Sequence, residues 1–222
     1  MKISWLPIAA GLAVAGTVIR AAFYTPLEAK QGAAQKIFYL HVPAAWVAFL
    51  AFFLVAVASG VYLWVRDPRL DRFAESSAEV GVVFITVVLT TGPLWAKPIW
   101  GTYWAWWDLR LVSTLFLAFI YAAYLVLRGA IDSSEMRARY SAVLGILGAL
   151  LIPFIHLSVY LFSTMHPMPL IGKPDKPSVP NEMLLTLMIS LFSFTLLYFA
   201  FLRSRYAYAT ERDAHAARLE HA

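Results

Sequence analysis

Hydrophobic positions fall into six long blocks, about residues 3–22, 37–65, 80–95, 109–127, 142–162 and 183–202. Polar residues inside the blocks are scattered singly and do not form the stripe of period 3.6 that a soluble surface helix carries. Most blocks approach the ~20 residues that cross a hydrocarbon core. The pattern predicts an all-α integral membrane protein: six transmembrane helices in a single membrane domain over 1–222. The connections on one side, about 66–79 and 128–141, are short and charged, whereas those on the other side, about 23–36, 96–108 and 163–182, hold most of the unusual residues.

Two prolines punctuate the unusual side. Pro43 suits the first turn of the second span, because its missing N–H would have no partner there, and this leaves His41 just outside the helix start. Pro167 forces the fifth span to end earlier, since the residue before a proline is pushed out of helical geometry, and His166 falls just past that end. The two histidines are thereby expected at one membrane face. His156, three residues after Pro153, lies inside the fifth span; it is either a functional group or a structural hydrogen-bond donor to the carbonyl that Pro153 frees.

Charge then orients the chain. Eleven of the eighteen basic residues (Lys2, Arg66, Arg69, Arg72, Arg128, Arg137, Arg139, Arg203, Arg205, Arg212 and Arg218) lie on the side of the short connections. By the positive-inside rule that side is cytoplasmic, with both termini. The net charge of +5 is a topology signal and does not point to nucleic acid. The basic C-terminal tail reads as a solvated anchor near membrane lipid. Cysteine is absent, which excludes disulfides, thiolate metal sites and thioether attachment of a cofactor to this chain. The first block could alternatively be a cleaved signal peptide, but its apolar stretch exceeds the usual core of roughly 7–15 residues.

Candidate chemistry lies on the outer side. The stretch "WGTYWAWWD" packs four tryptophans and a tyrosine into nine residues, and five of the eight tryptophans fall between Trp95 and Trp107. Read as an interfacial helix, it groups Trp100, Tyr103, Trp104 and Trp107 on one face, with Trp106 off the stripe. An aromatic belt is the bland alternative, although a belt would spread its tryptophans over all helix ends. A concentrated indole surface suits a planar macrocycle with a polar rim. Imidazole is a common iron ligand, so His41 and His166 beside that surface are candidate axial ligands. Lys97, Arg110, Lys173 and Lys176 are cations that could meet rim carboxylates, or plain interface anchors. Asp108 is placed to cap the fourth span, to pair with Arg110 or to orient a partner. Met165 and Met168 flank His166. No nucleophile–base pair, carboxylate pair or phosphate loop is present, so no enzymatic turnover is expected. A permease and a partner-binding scaffold are the rival functions.

These residues resemble a known family. "YLHVPAAW" (Tyr39–Trp46), "WAKPIWGTYWAWWDLRL" (Trp95–Leu111) and "HLSVYLFSTMHPMP" (His156–Pro169) are similar, in order and spacing, to the CcmC-type haem-handling (WWD) membrane proteins of bacterial cytochrome c maturation. The length and span count fit that branch better than the longer CcmF or CcsA branches. The resemblance implies a non-covalent, bis-His haem b with His41 and His166 on the metal. It also implies a cofactor surface of Trp95, Trp100, Tyr103, Trp104, Trp106, Trp107, Asp108 and Arg110, carried on a WWD segment, 95–111, in an outer loop. Implied partners are a CcmE-type haem chaperone, a CcmD-type small protein and CcmA and CcmB ABC-transporter subunits. One departure is that "TYWAWWD" carries an extra residue before Asp108 compared with the family's x-x-W-x-W-D pattern.

Overall fold

The computed structural model describes residues 5–168 and 179–220, and these are helical apart from short connections. The helices are α1 (Trp5–Ile19), α2 (Phe38–Val65), α3 (Pro68–Trp100), α4 (Leu109–Ala130), α5 (Ser134–Ala149), α6 (Leu151–Leu161) and α7 (Asn181–Glu220). A π-helical turn, Arg20–Tyr24, extends α1, and a 3₁₀ stretch, Ala33–Ile37, leads into α2. Grouped this way, six helical stretches are long and apolar enough to cross a membrane, with α5 and α6 together forming one of them.

The helices run well past the hydrophobic blocks. Only Arg66 and Asp67 separate α2 from α3, so most of the expected connection 66–79 is helix. Asp67 caps α3 by accepting from Arg69 N at 2.9 Å, and Pro68 occupies the first turn. Likewise Ser133 caps α5, and only Ile131 to Ser133 separate α4 from it. Hydropathy reports where lipid is, whereas caps and helix-forming residues decide where the helix begins. Pro43 also corrects an expectation: it lies in the second turn of α2, and His41 is inside the helix. The helix is already wound through the 3₁₀ stretch upstream, so the proline withdraws only the bond that Tyr39's carbonyl would accept. The fifth span does break at Pro153, which removes the bond to Ala149 and leaves Leu150 as the joint between α5 and α6.

α2 packs most extensively on α3 and is also covered by α5 and α7. The core is built on close aromatic and small-residue contacts. Phe52 stacks on Tyr121 with centroids 3.7 Å apart, and the Tyr121 hydroxyl donates to Gly145 O at 2.8 Å. Ser77 and Tyr198 share a buried hydrogen bond of 2.8 Å between α3 and α7. Small residues permit this approach, as expected where lipid offers no hydrophobic drive between helices. At Gly81 a Cβ would lie 2.5 Å from Phe52 Cε1, and Phe52 is pinned by Tyr121. Gly81→Ala is therefore expected to destabilise the bundle by ~1–3 kcal/mol through overpacking, read as a lower thermal midpoint in detergent. An unchanged midpoint would show that Phe52 yields.

The start of α2, the ends of α3 and α6 and the starts of α4 and α7 meet at one end of the bundle. At the other end α3, α4 and α7 are tied by ion pairs. Arg128, 7% exposed, donates to Asp71 at 2.6 and 2.9 Å and to Glu75 at 3.1 Å. Arg212 meets Glu75 at 2.8 Å, and Arg205 meets Glu79. The basic C-terminal residues lie on the continuous helix α7 rather than on a separate tail; Arg203, Arg212 and Arg218 are exposed, and Arg205 and Arg212 are engaged by α3.

Candidate functional site

The tryptophan-rich stretch is not an interfacial helix. α3 carries Trp95 and Trp100 to its end and stops at Gly101, whose φ of 76° places it in the left-handed region and lets its N–H close on Lys97 O at 3.0 Å. Residues 101–108 are irregular, and α4 begins at Leu109, so the 95–111 segment is half helix and half loop rather than a loop throughout. The aromatic side chains divide accordingly. Trp95 and Trp100 meet edge to face at 5.0 Å, and Trp95 Nε1 donates to Gln31 Oε1 at 2.9 Å. Trp104 is half-buried and contacts Trp106 edge to face at 5.8 Å. Tyr103, Trp106 and Trp107 are 57%, 75% and 63% exposed and form the outer rim.

His41 projects from α2 onto α3. Its Nδ1 lies 2.9 Å from Thr91 Oγ1, and a Cβ on Gly92 would come within 3.3 Å of its ring. The Thr91 hydroxyl has one proton and donates it to Val87 O at 2.7 Å. With that bond made, its oxygen accepts from His41, an arrangement that puts the imidazole proton on Nδ1 and leaves Nε2 its lone pair. His166 reaches the same state by another route. Its Nδ1 faces Pro167 O at 2.9 Å, a carbonyl that can only accept, so Nδ1 again carries the proton and Nε2 is again free.

The loop bearing His166 is held by Asp108. Fully buried, this carboxylate caps α4 through Oδ1, accepting from Arg110 N at 3.0 Å and Leu111 N at 3.2 Å. Its Oδ2 accepts from Thr164 Oγ1 at 2.6 Å and Met165 N at 2.8 Å. Capping and orienting are both observed, and among the described residues its carboxylate forms no ion pair with Arg110. Arg110 is half-buried, with charge within electrostatic reach of both histidines, which in turn sense each other. Two donors at this end of the bundle, Arg110 Nη1 and Trp104 Nε1, are buried without a hydrogen-bond partner among the described residues.

Burial, then the positive charge of Arg110, holds the His166 imidazole at about 4, below its ordinary 6.5. A group whose folded pKa is depressed binds fewer protons folded than unfolded, so stability falls as pH drops through this window and levels off beneath it. Titration of the His166 ring resonances in the unliganded protein is expected to show a midpoint well under that of a solvent-exposed histidine; an ordinary midpoint would mean that the ring is solvated.

Other candidates lie elsewhere. Lys97 donates to Gly101 O at 2.9 Å and sits over the Tyr103 ring at 5.2 Å, closing α3 instead of approaching the histidines. His156 is exposed on α6 and makes no side-chain hydrogen bond among the described residues. Met168 is exposed, and Met165 contributes its backbone N–H to Asp108. Lys173 and Lys176 lie outside the described residues. The residues that sequence reasoning undervalued are Thr91, one of three threonines in the apolar stretch of α3, and Thr164, two residues before His166.

The sequence profile described as Heme exporter protein C matches residues 1–220. The chain belongs to the heme exporter protein C family. It is 35% identical over 195 residues to a heme exporter protein C of Bradyrhizobium diazoefficiens, covering 87% of this chain and 73% of that protein. A heme exporter protein C of Haemophilus influenzae is 34% identical over 177 residues, 79% of this chain and 71% of the relative. A ccmC-like mitochondrial protein of cytochrome c biosynthesis from Marchantia polymorpha is 37% identical over 141 residues, 64% of this chain and 59% of that one. The relatives thus come from bacteria and from a plant mitochondrion, and the residues matched by the family profile include the whole site described above.

Proposed function

We propose that the chain is a membrane haem-binding and haem-delivery protein of cytochrome c biogenesis, holding haem b non-covalently between His41 and His166 and presenting it at the outer face of a bacterial cytoplasmic membrane. One observation carries the reading: two histidines from separate elements lie at one end of the bundle, near enough for the charge of His41 to act on His166, each with Nδ1 in a hydrogen bond and no described partner on Nε2. Haem supplies the iron that such a pair would bind, and four of its ligands besides.

The surroundings fit the group. A macrocycle with carboxylates on its rim would satisfy the unpartnered Arg110 Nη1, and one with a polar edge would satisfy Trp104 Nε1. Trp100, Tyr103, Trp104, Trp106 and Trp107 supply apolar faces from half-buried to exposed, as a site that must hand its cargo onward requires. Trp95, braced by Gln31, and Asp108 act behind them as supports. In this reading the chain holds and presents the group without transforming it. The receiving partner in this reading is a CcmE-type haem chaperone meeting the exposed rim, with a CcmD-type small protein and CcmA and CcmB transporter subunits in the same assembly. The inward bias of arginine supports cytoplasmic termini.

A permease needs a polar path near the midplane. Thr86 and Thr90 are exposed and donate to carbonyls of their own helix, Thr91 is engaged by His41, and His156 faces outward, which disfavours that reading. The direct test is the absorption spectrum, oxidised and reduced, of full-length protein purified in mild detergent from haem-replete cells. A six-coordinate low-spin haem spectrum is expected. A colourless protein that also fails to take up added haemin would overturn the proposal.

A further inference from the structure

The two histidines are held very differently. His41 is part of a hydrogen-bonded helix, and its ring rests on Thr91 and Gly92 of α3, so both of its supports belong to the most extensively packed helix pair of the bundle. His166 has no helix beneath it. It follows the end of α6 at Leu161 and precedes Pro167, and its own ring bond to Pro167 is local. Among the described residues, the tertiary hydrogen bonds of the 162–168 stretch are those of Thr164 Oγ1 and Met165 N, and both end on a single atom, Asp108 Oδ2.

Thr164 is also a relay. Its hydroxyl donates to Asp108 at 2.6 Å and accepts from the His166 backbone N–H at 3.1 Å. Removing that one oxygen removes the tie to α4 and the bond that orients the histidine's own backbone. Asp108 meanwhile satisfies its charge with backbone N–H groups and this hydroxyl, which makes the contacts charge-assisted and short. Its Oδ1 stays bonded to α4 whether or not Oδ2 holds the loop, so the loop can detach without unravelling the helix.

We propose that Asp108 and Thr164 are positioning residues that latch His166 in place, and that release of the bound group begins with loss of this latch, His166 leaving first while His41 holds on. The proposal rests on the haem reading above and adds the order in which the ligands let go. An unlatched His166 leaves a one-histidine state, weaker and open on one side, from which transfer to an acceptor proceeds.

The test uses full-length haem-loaded protein in detergent, with the spin state read from absorption and electron paramagnetic resonance and with haem transfer timed to excess apomyoglobin. Thr164→Val keeps the shape and removes the hydroxyl. It is expected to shift the ferric spectrum toward that of His166→Ala and to speed transfer by about tenfold or more, the size expected for lost hydrogen bonds to a charged group. Thr164→Ser should restore both readouts. Combining Thr164→Val with His166→Ala separates a latch from general loosening, because a residue acting through His166 adds nothing once His166 is gone. Wild-type spectrum and rate in Thr164→Val, or a further tenfold acceleration in the combined variant, would overturn the latch while leaving bis-histidine binding standing. A wild type that binds no haem would overturn the haem reading and the latch with it.

Discussion

Replacing both His41 and His166 with alanine is expected to lower the haem retained through purification by at least ~100-fold and to abolish the low-spin spectrum of what remains. Loss of an outer-shell support at a metal site costs roughly 10–100-fold in affinity, and here the ligands themselves are removed. The tryptophans and Arg110 would still offer apolar faces and a cation, but neither supplies a lone pair to iron. The single variants should differ from the double: each keeps one free Nε2 and is expected to hold a weaker, five-coordinate high-spin haem. Added imidazole should return the single variants to a six-coordinate spectrum, since it replaces only the missing ring. A double variant that keeps the wild-type spectrum would remove His41 and His166 from the metal, and the search would move to other lone pairs at that end of the bundle.

Much of this architecture is legible in the chain. Span length alone yields six crossings, because no other fold accommodates so many apolar blocks with unstriped polarity. His166 falls outside a helix as Pro167 requires. What the sequence conceals are contacts between residues far apart along it. His41 and Thr91 are 50 positions apart, and Asp108 and Thr164 are 56 apart, so neither bond leaves a periodic trace. The tryptophan stretch looks helical by spacing, yet Gly101 stops α3 with a positive φ and Asp108 restarts the chain as α4. Local punctuation there overrides an aromatic periodicity. Pro43 errs in the opposite direction, being a breaker that upstream winding and packed neighbours override.

The arginines at the end of the bundle away from the histidines show the same limit with a larger energetic consequence. Counted along the sequence, Arg128 is one more charge on the positive side; in the fold its side chain is 5% exposed and is the described partner of both oxygens of Asp71. Arg128→Leu would strand Asp71 and leave Glu75 with Arg212 alone. Breaking a buried pair by removing one partner typically costs ~3–5 kcal/mol, because the remaining charge loses its partner without regaining water. For a chain of this size that corresponds to a fall of roughly 10 °C in the apparent midpoint of unfolding in detergent. Neutralising the acids in the same variant, with Asp71→Asn and Glu75→Gln, should recover much of the loss, since the penalty belongs to the unpaired carboxylates and not to the missing arginine. Arg128 and Arg110 stand 18 residues apart on α4, about 27 Å, at opposite ends of the bundle. The stability loss should therefore exceed any loss of haem affinity in the protein that remains folded. A midpoint within a degree or two of the wild type would mean that water reaches Asp71, and that the network is a solvated surface rather than the clamp joining α3, α4 and α7.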